Sequence, residues 1–326
     1  MSATHIDWTM VPYVRKSFTK HLKDGMRYCE GKSEYKLERF MKWLANTSED
    51  GAIHFDNTEF KDLHPEAWAY AMEMTEKETM QAVEAMYHNL NTLQSRSGNQ
   101  LPFTSINYGT CTLPEGRLVT KALIEGSIKG IGKLHRTSIF PCGIFQCMKG
   151  VNREPGDPNY DLFKLALRST AQRLYPNYAN VDWSGNAGYD INDPRTYFST
   201  MGCRTANGYD INGLGQLKDG RGNICPTTII LPTVAKEAEW RYHNDMATMD
   251  YESLEELFME MLDYCIYEAK DMLIERFEWI CSQNPASAKF MYENGLMAGY
   301  VPEEGIRSAL KHGTLALGQL GLAEAL

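Results

Sequence analysis

The sequence lacks the short motifs that usually indicate a metal site or a phosphate-binding loop. Its eight cysteines include no Cys-x-x-Cys pair and its eight histidines show no His-Glu-x-x-His spacing, so the common zinc and iron–sulfur patterns are missing. The segment 126–133, GSIKGIGK, misses the phosphate-loop pattern because Ser127 stands at the first glycine position and Leu134 at the Ser/Thr position. No apolar run approaches the roughly 20 residues of a membrane helix, and the start does not resemble a signal peptide. We therefore expect a cytoplasmic protein with no metal in this segment and no membrane partner.

Basic residues are also fewer than acidic residues in this sequence. The chain has 33 Lys and Arg against 42 Asp and Glu, a formal net charge of -9, which argues against non-specific binding to nucleic acid. Apolar residues make up 43% of the 326 residues, as in an ordinary globular protein with a sizeable core. In a reducing compartment most of the cysteines are expected to be small core residues with free thiols.

The hydrophobic periodicity predicts an α/β architecture, in which long helices alternate with short strands. Helices are predicted at residues 11–28, 66–93, 117–131, 158–175 and 253–282. Strands are predicted at residues 101–108, 139–148 and 224–234, and a further buried strand is expected to begin at residue 313. Residues 176–222, rich in Asn, Asp, Gly, Pro and Tyr, are predicted to form a long functional loop, since such loops are uncommon in compact domains.

The predicted helix 66–93 carries a seam of residues spaced three and four apart. The seam consists of Trp68, Met72, Thr75, Thr79, Ala82, Met86 and Leu90. It fits either a contact with another subunit or an ordinary face buried within the chain. The pattern by itself favours the second interpretation.

Two residues in and after the long loop are candidates for chemistry. Cys203 follows Gly202, and a glycine permits a backbone turn that can present a thiol at a loop tip. Asn223 stands just before the strongest strand, and its carboxamide offers one acceptor oxygen and two donor hydrogens for sugar hydroxyls. Taken alone, each residue also fits a plainer interpretation, a loop-borne thiol and an ordinary Gly-Asn turn, which the local sequence favours.

Six longer blocks resemble the anaerobic (class III) ribonucleoside-triphosphate reductase family, and they occur in the family's order. The blocks are HNLNTLQSRSGNQLPFTSINYGT (88–110), KGIGKLHRTSIFP (129–141), DPNYDLFKLALRSTAQRLYPNY (157–178), TMGCRT (200–205), DGRGNICPTTIILP (219–232) and KHGTLALGQLGLAEAL (311–326). Several blocks are long and together they extend over nearly the whole chain, so the resemblance is specific.

The resemblance implies a single incomplete catalytic domain over residues 1–326, part of a ten-stranded α/β barrel of the ribonucleotide reductase and glycyl-radical enzyme type with a central finger loop. A helical dimer and effector region would extend over residues 8–94, and barrel strands, finger loop and helices over residues 95–326. Cys203 would become the thiyl radical that removes the 3′ hydrogen of the ribose, and Asn223 would hold the substrate hydroxyls. Arg96 and Gln100 would contact effector nucleotides.

The implied substrates are ribonucleoside triphosphates, and the implied effectors are ATP and deoxyribonucleoside triphosphates. The radical would come from a glycyl radical on a segment absent from this chain. Expected partners are a second copy of the chain, a radical-SAM activating enzyme and the missing reductase segments. The family's ATP-cone, its first cysteine strand and its C-terminal zinc and glycyl-radical region have no counterpart here, so the isolated chain is expected to be inactive.

Two other functions remain open at this stage. One is a glycyl-radical enzyme of the pyruvate formate-lyase type, against which the helix–loop block 88–110 argues. The other is a non-catalytic remnant that dimerises or binds nucleotides. Binding of nucleoside triphosphates would separate the reductase from the first alternative, and binding without turnover would indicate the second.

Overall fold

The computed structural model describes residues 2–93, 101, 103–184, 189–202, 205–207, 223–245, 250–297, 299–311 and 313–326. The chain divides into two compact units, Met1–Asp219 and Gly220–Leu326. The single barrel domain expected from the resemblance stays a prediction.

The first unit opens with a short strand and five helices. They are β1 (Ser2–Ala3), α1 (Ile6–Thr9), α2 (Val11–Tyr28), α3 (Glu34–Thr47), α4 (Thr58–Leu63) and α5 (Pro65–Thr92). The predicted helices 11–28 and 66–93 are confirmed, and in both a proline stands in the first turn, where its missing N–H costs nothing. Helices α3 and α4 were not predicted.

Helices α2 and α5 bury their apolar stripes against each other. Phe18 and Trp68 meet edge to face with ring centroids 4.9 Å apart, and Leu22 lies fully buried beside them. Thr75 is also fully buried, so this part of the predicted seam is an intrachain face. Further along α5 the buried position moves to Val83, while Ala82 of the predicted seam is exposed.

Four parallel strands form the sheet of the first unit, in the order β1-β2-β3-β4. The further strands are β2 (Ser105–Tyr108), β3 (Cys142–Cys147) and β4 (Asn177–Asn180), connected by α6 (Pro114–Lys129) and α7 (Tyr160–Arg173). A parallel sheet with crossover helices confirms the predicted α/β class. The ten-stranded barrel stays a prediction.

The strands differ in detail from the predictions. The predicted strand 139–148 begins only at Cys142, after Pro141, which has no backbone N–H to give to a sheet. The predicted strand 101–108 likewise shortens to β2. Strand β4 lies inside the predicted loop 176–222, so that prediction is wrong at these positions. The loop also contributes a small antiparallel hairpin of β5 (Ser199–Met201) and β6 (Thr205–Asn207).

One face of the parallel sheet packs on helices. Ile106, Tyr108 and Phe145 point to this side, where they join Leu123 of α6 and Leu162 of α7 in one core cluster. All five side chains are buried. The opposite face carries buried polar side chains beside a small apolar cluster of Ile144, Ala179 and Phe198, and the hairpin lies on this side.

The second unit contains two parallel strands and five helices among its described residues. They are β7 (Asn223–Ile230), α8 (Leu231–Asn244), α9 (Leu254–Cys281), α10 (Lys289–Glu293), α11 (Ile306–Leu310), β8 (Thr314–Leu320) and α12 (Leu322–Ala325). The predicted helix 253–282 is confirmed. The predicted strand 224–234 ends at Ile230, because Pro232 occupies the first turn of α8.

The strand predicted from residue 313 exists as β8, but its expected burial is wrong for this unit. Leu315, Leu317 and Leu320 expose 36%, 40% and 59% of their surface. Among the described residues β8 pairs only with β7. The unit therefore leaves part of the apolar surface of this strand exposed.

Candidate functional site

The polar face of the sheet is the most unusual feature of the first unit. The parallel register pairs Ser2 with Ser105 and Asn107 with Ile144. Because strand side chains alternate between faces, Ser2, Ser105, Asn107 and Gln146 all lie on the face opposite the helices. Ser105, Asn107 and Gln146 are 0% exposed. Buried strand positions are usually apolar, so these polar side chains require partners.

The hairpin of β5 and β6 supplies those partners. Its antiparallel register pairs Ser199 with Asn207 and Met201 with Thr205. Gly202 has φ of +63°, a conformation that favours glycine. Met201 is 8% exposed and Ser199 is fully buried, so β5 lies inside the unit.

Five hydrogen bonds hold the main chain of β5 and its flanks to the polar face, one of them from the Ser2 hydroxyl to the Thr200 carbonyl at 3.3 Å. The Asn107 carboxamide donates to the Thr200 carbonyl at 2.9 Å and accepts from the Thr200 N–H at 3.0 Å. The Ser105 hydroxyl accepts from the Gly202 N–H at 3.1 Å, and Gln146 donates to the Phe198 carbonyl at 2.8 Å. The segment that leads into position 203 is therefore fixed at three successive points.

Two buried polar atoms at this face have no hydrogen-bond partner among the described residues. They are Oε1 of Gln146 and Oγ of Ser199, the residue after Phe198. An unpaired buried oxygen costs free energy. These two oxygens are therefore the polar atoms of this face whose burial is not compensated within the described residues.

A second polar cluster holds the loop that follows β2. The Asp7 carboxylate accepts the backbone N–H groups of Gly109 and Cys111 at 2.8 and 3.0 Å. Asn152 and Asn159 donate to the Gly109 carbonyl at 2.9 and 3.0 Å. Burial raises the pKa of the Asp7 carboxyl, an effect that exceeds the opposing effect of the backbone N–H donors. This carboxyl edge of a parallel sheet is the place where α/β proteins usually bind ligands.

Burial favours the protonated thiols of Cys111 and Cys147. Burial raises the pKa of Cys111 to about 12 and that of Cys147 to about 11. Cys142 is buried and Cys147 half-buried, as expected for positions five apart on opposite faces of a strand.

Of the four site residues predicted from the sequence, only Asn223 lies within the described residues. Cys203, Arg96 and Gln100 lie outside them. Asn223 is the exposed first residue of β7, opposite Thr314 in β8, whose hydroxyl donates to Asn223 Oδ1 at 2.6 Å. This bond orients the carboxamide at one end of the strand pair.

Sequence reasoning did not identify Ser105, Asn107 and Gln146. The signal was present in β2, where Ser105-Ile106-Asn107-Tyr108 alternates polar and apolar residues. Such alternation is usually interpreted as a strand with one face in water. Here the polar face is covered by the hairpin instead.

Comparison with known proteins assigns the family. A sequence model described as "Anaerobic ribonucleoside-triphosphate reductase" matches residues 1–326. The chain belongs to this family. The anaerobic ribonucleoside-triphosphate reductases of Haemophilus influenzae and Escherichia coli K12 are each 28% identical to this chain over 323 residues, covering 98% of it and 38% of the relative. The reductase of enterobacteria phage T4 is 28% identical over 324 residues, covering 98% of this chain and 46% of its own length.

This reductase-family chain thus spans less than half the length of these relatives. Within its described ranges, no three His, Cys, Asp or Glu side chains are placed to share a metal ion. None of its helices, over the same ranges, combines the length and apolar character needed to cross a bilayer.

Proposed function

We propose that this chain forms the central catalytic part of an anaerobic ribonucleoside-triphosphate reductase, an oxidoreductase that converts ribonucleoside triphosphates to deoxyribonucleoside triphosphates. The family match over the whole chain carries the proposal. The anchored hairpin supports it, because a chain segment held inside a fold is what a finger loop requires.

In the proposed reaction Cys203 acts as a thiyl radical. The sulfur takes the hydrogen atom from C3′ of the ribose, so an S–H bond forms as the C3′–H bond breaks and the unpaired electron moves to the sugar. A glycyl radical on another segment supplies the unpaired electron when it is present. The protein's part is to position the reacting atoms and to exclude water. The buried polar face next to the hairpin suits this part.

Asn223 is proposed to hold the ribose hydroxyls. Its carboxamide does not titrate, so it can donate and accept hydrogen bonds at any physiological pH. The bond from Thr314 fixes its orientation before a ligand arrives. Arg96 and Gln100 are proposed to contact effector nucleotides, ATP or deoxyribonucleoside triphosphates.

The remaining predictions concern architecture and partners. We propose that the parallel strands of both units are parts of a ten-stranded barrel, and that the chain pairs with a second copy through its helical region. A radical-SAM activating enzyme and the remaining reductase segments would complete the system. The seven cysteines within the described residues form no disulfide, which suits the proposed reducing cytoplasm.

The test is the variant Cys203→Ser in the reductase assembled with the segments that this chain does not contain. Turnover should be abolished, because serine's O–H bond is too strong for a glycyl radical to remove its hydrogen, so no radical would form at position 203, while nucleotide affinity should stay within about twofold. Cys29→Ser is the matched control, since Cys29 is an exposed thiol. Turnover retained in Cys203→Ser would contradict the proposal, and nucleotide binding without turnover in the unaltered assembly would instead indicate a non-catalytic remnant.

A further inference from the structure

This face of the sheet holds the hairpin by hydrogen bonds to its main chain and by one apolar contact, in which the Phe198 side chain packs with Ile144 and Ala179. Asn107 contacts both the N–H and the carbonyl of Thr200, and Ser105 contacts the N–H of Gly202. Gln146 contacts the carbonyl of Phe198 from the neighbouring strand β3. These hydrogen bonds therefore depend on where the hairpin backbone lies and not on which side chains it carries.

This arrangement fixes the position of the hairpin along the sheet. A carboxamide that holds both polar groups of one residue loses both bonds when the chain slips by one residue, because the next residue points its N–H and carbonyl the other way. Asn107 is fully buried, so the lost bonds could not be replaced by water. Ser105 and Gln146 bind the main chain on either side of Thr200, at Gly202 and at Phe198.

We propose that Ser105, Asn107 and Gln146 are positioning residues. They fix the position of the hairpin along the sheet and thereby the location of Cys203, the residue after Gly202. The inference rests on the proposed function for the role of Cys203. The hydrogen bond to the Gly202 N–H lies one peptide unit from Cys203, and the Asn107 clamp lies three residues before it. A sulfur that must meet one carbon atom requires such fixation, since small displacements of reacting groups cost large factors in rate.

The first test uses the 326-residue chain and needs no activity. Ser105→Ala removes the acceptor of the Gly202 N–H with little change in volume. Hydrogen exchange at this amide, and labelling of Cys203 by iodoacetamide relative to exposed Cys29, should each become about two- to tenfold faster. Ser169→Ala is the matched control, because Ser169 is also 0% exposed and its hydroxyl donates one bond, to the Tyr175 carbonyl at 2.8 Å.

A second pair of variants compares two carboxamides with the same bonding pattern. Asn107 and Asn152 are both fully buried, and each donates to two backbone carbonyls and accepts one backbone N–H. Asn107→Asp should accelerate exchange at Thr200 and Gly202 more than Asn152→Asp does at equal global stability. Equal rates at both amides in Ser105→Ala, Asn107→Asp and their controls would overturn the proposal.

In the assembled reductase the same variants should lower kcat and leave KM within about twofold, as expected for misplaced chemistry without lost binding. A fall in both parameters in proportion to global stability would instead indicate a merely structural role and overturn the assignment. The two proposals fail separately. If Cys203→Ser keeps turnover while Ser105→Ala still frees the Gly202 amide, the reductase chemistry fails and the positioning of the hairpin stands.

Discussion

Replacing Asp7 by alanine gives a direct measure of how strongly the first unit depends on its buried polar contacts. The carboxylate is 0% exposed and accepts the N–H groups of Gly109 and Cys111. Its loss leaves two buried donors without an acceptor, at about 1–3 kcal/mol each. Part of this cost is offset, because alanine also removes a charge that burial disfavours, as the raised pKa of Asp7 indicates. We expect a net loss of about 2–4 kcal/mol in the free energy of unfolding.

The pH dependence of this loss has a definite sign. Burial raises the pKa of Asp7 above its unfolded value, so the folded state binds the proton more tightly. The stabilising contribution of Asp7 is therefore fully present below the unfolded pKa and decreases as pH rises through the folded pKa. The difference between wild type and Asp7→Ala should be larger at about pH 4 than at about pH 7.

Urea unfolding followed by circular dichroism measures both effects. Asp161→Ala is the control, since Asp161 is 61% exposed and pairs with Arg117 at 2.8 Å. An exposed ion pair contributes at most about 1 kcal/mol. A loss in Asp7→Ala no larger than in Asp161→Ala would refute the reasoning.

Three further predictions concern side chains of α2 and α5. Thr75→Val should stabilise the chain by about 0.5–2 kcal/mol in urea unfolding, because the buried Thr75 hydroxyl has no partner among the described residues. Thr19→Val should destabilise it by about 1–3 kcal/mol, because the Thr19 hydroxyl accepts the Ile53 N–H at 2.8 Å; equal effects of the two variants would contradict both expectations. Hydrogen bonds from Ser17 and His21 lower the pKa of Glu78 to about 2, so its stabilisation is present above its ordinary pKa and is lost as pH falls toward about 2. Glu78→Gln should therefore reduce the fall of the melting temperature at acidic pH, and the effect should be modest because Glu78 is 46% exposed. An unchanged fall of the melting temperature would exclude Glu78 as its source.

The long helices could be predicted from the sequence because their signals are local. Helix α2 repeats apolar residues at helical spacing, and α5 and α9 do so over many turns. The strand β4 could not be recognised, since Asn177-Tyr178-Ala179-Asn180 has no strand pattern of its own. It becomes a strand by pairing with β3, and pairing is a tertiary effect.

The candidate site was predictable only in part. Cys203, Arg96 and Gln100 rest on the family resemblance, lie outside the described residues and stay predictions. The positioning role of Asn107 and Gln146 depends on a hairpin that comes back onto the sheet from about ninety and fifty residues further along the chain, as their hydrogen bonds to positions 200 and 198 record. Local pattern carries no information about such a return.

The main-chain character of the contacts around Thr200 has a practical consequence for engineering. Hydrogen bonds to peptide groups alone allow many different side chains at position 200, whereas position 198 requires an apolar side chain because Phe198 packs with Ile144 and Ala179. A grafted loop that keeps the backbone path and the glycine at position 202 should therefore bind to the sheet at the same position. The same sheet could then hold loops that carry other reactive groups.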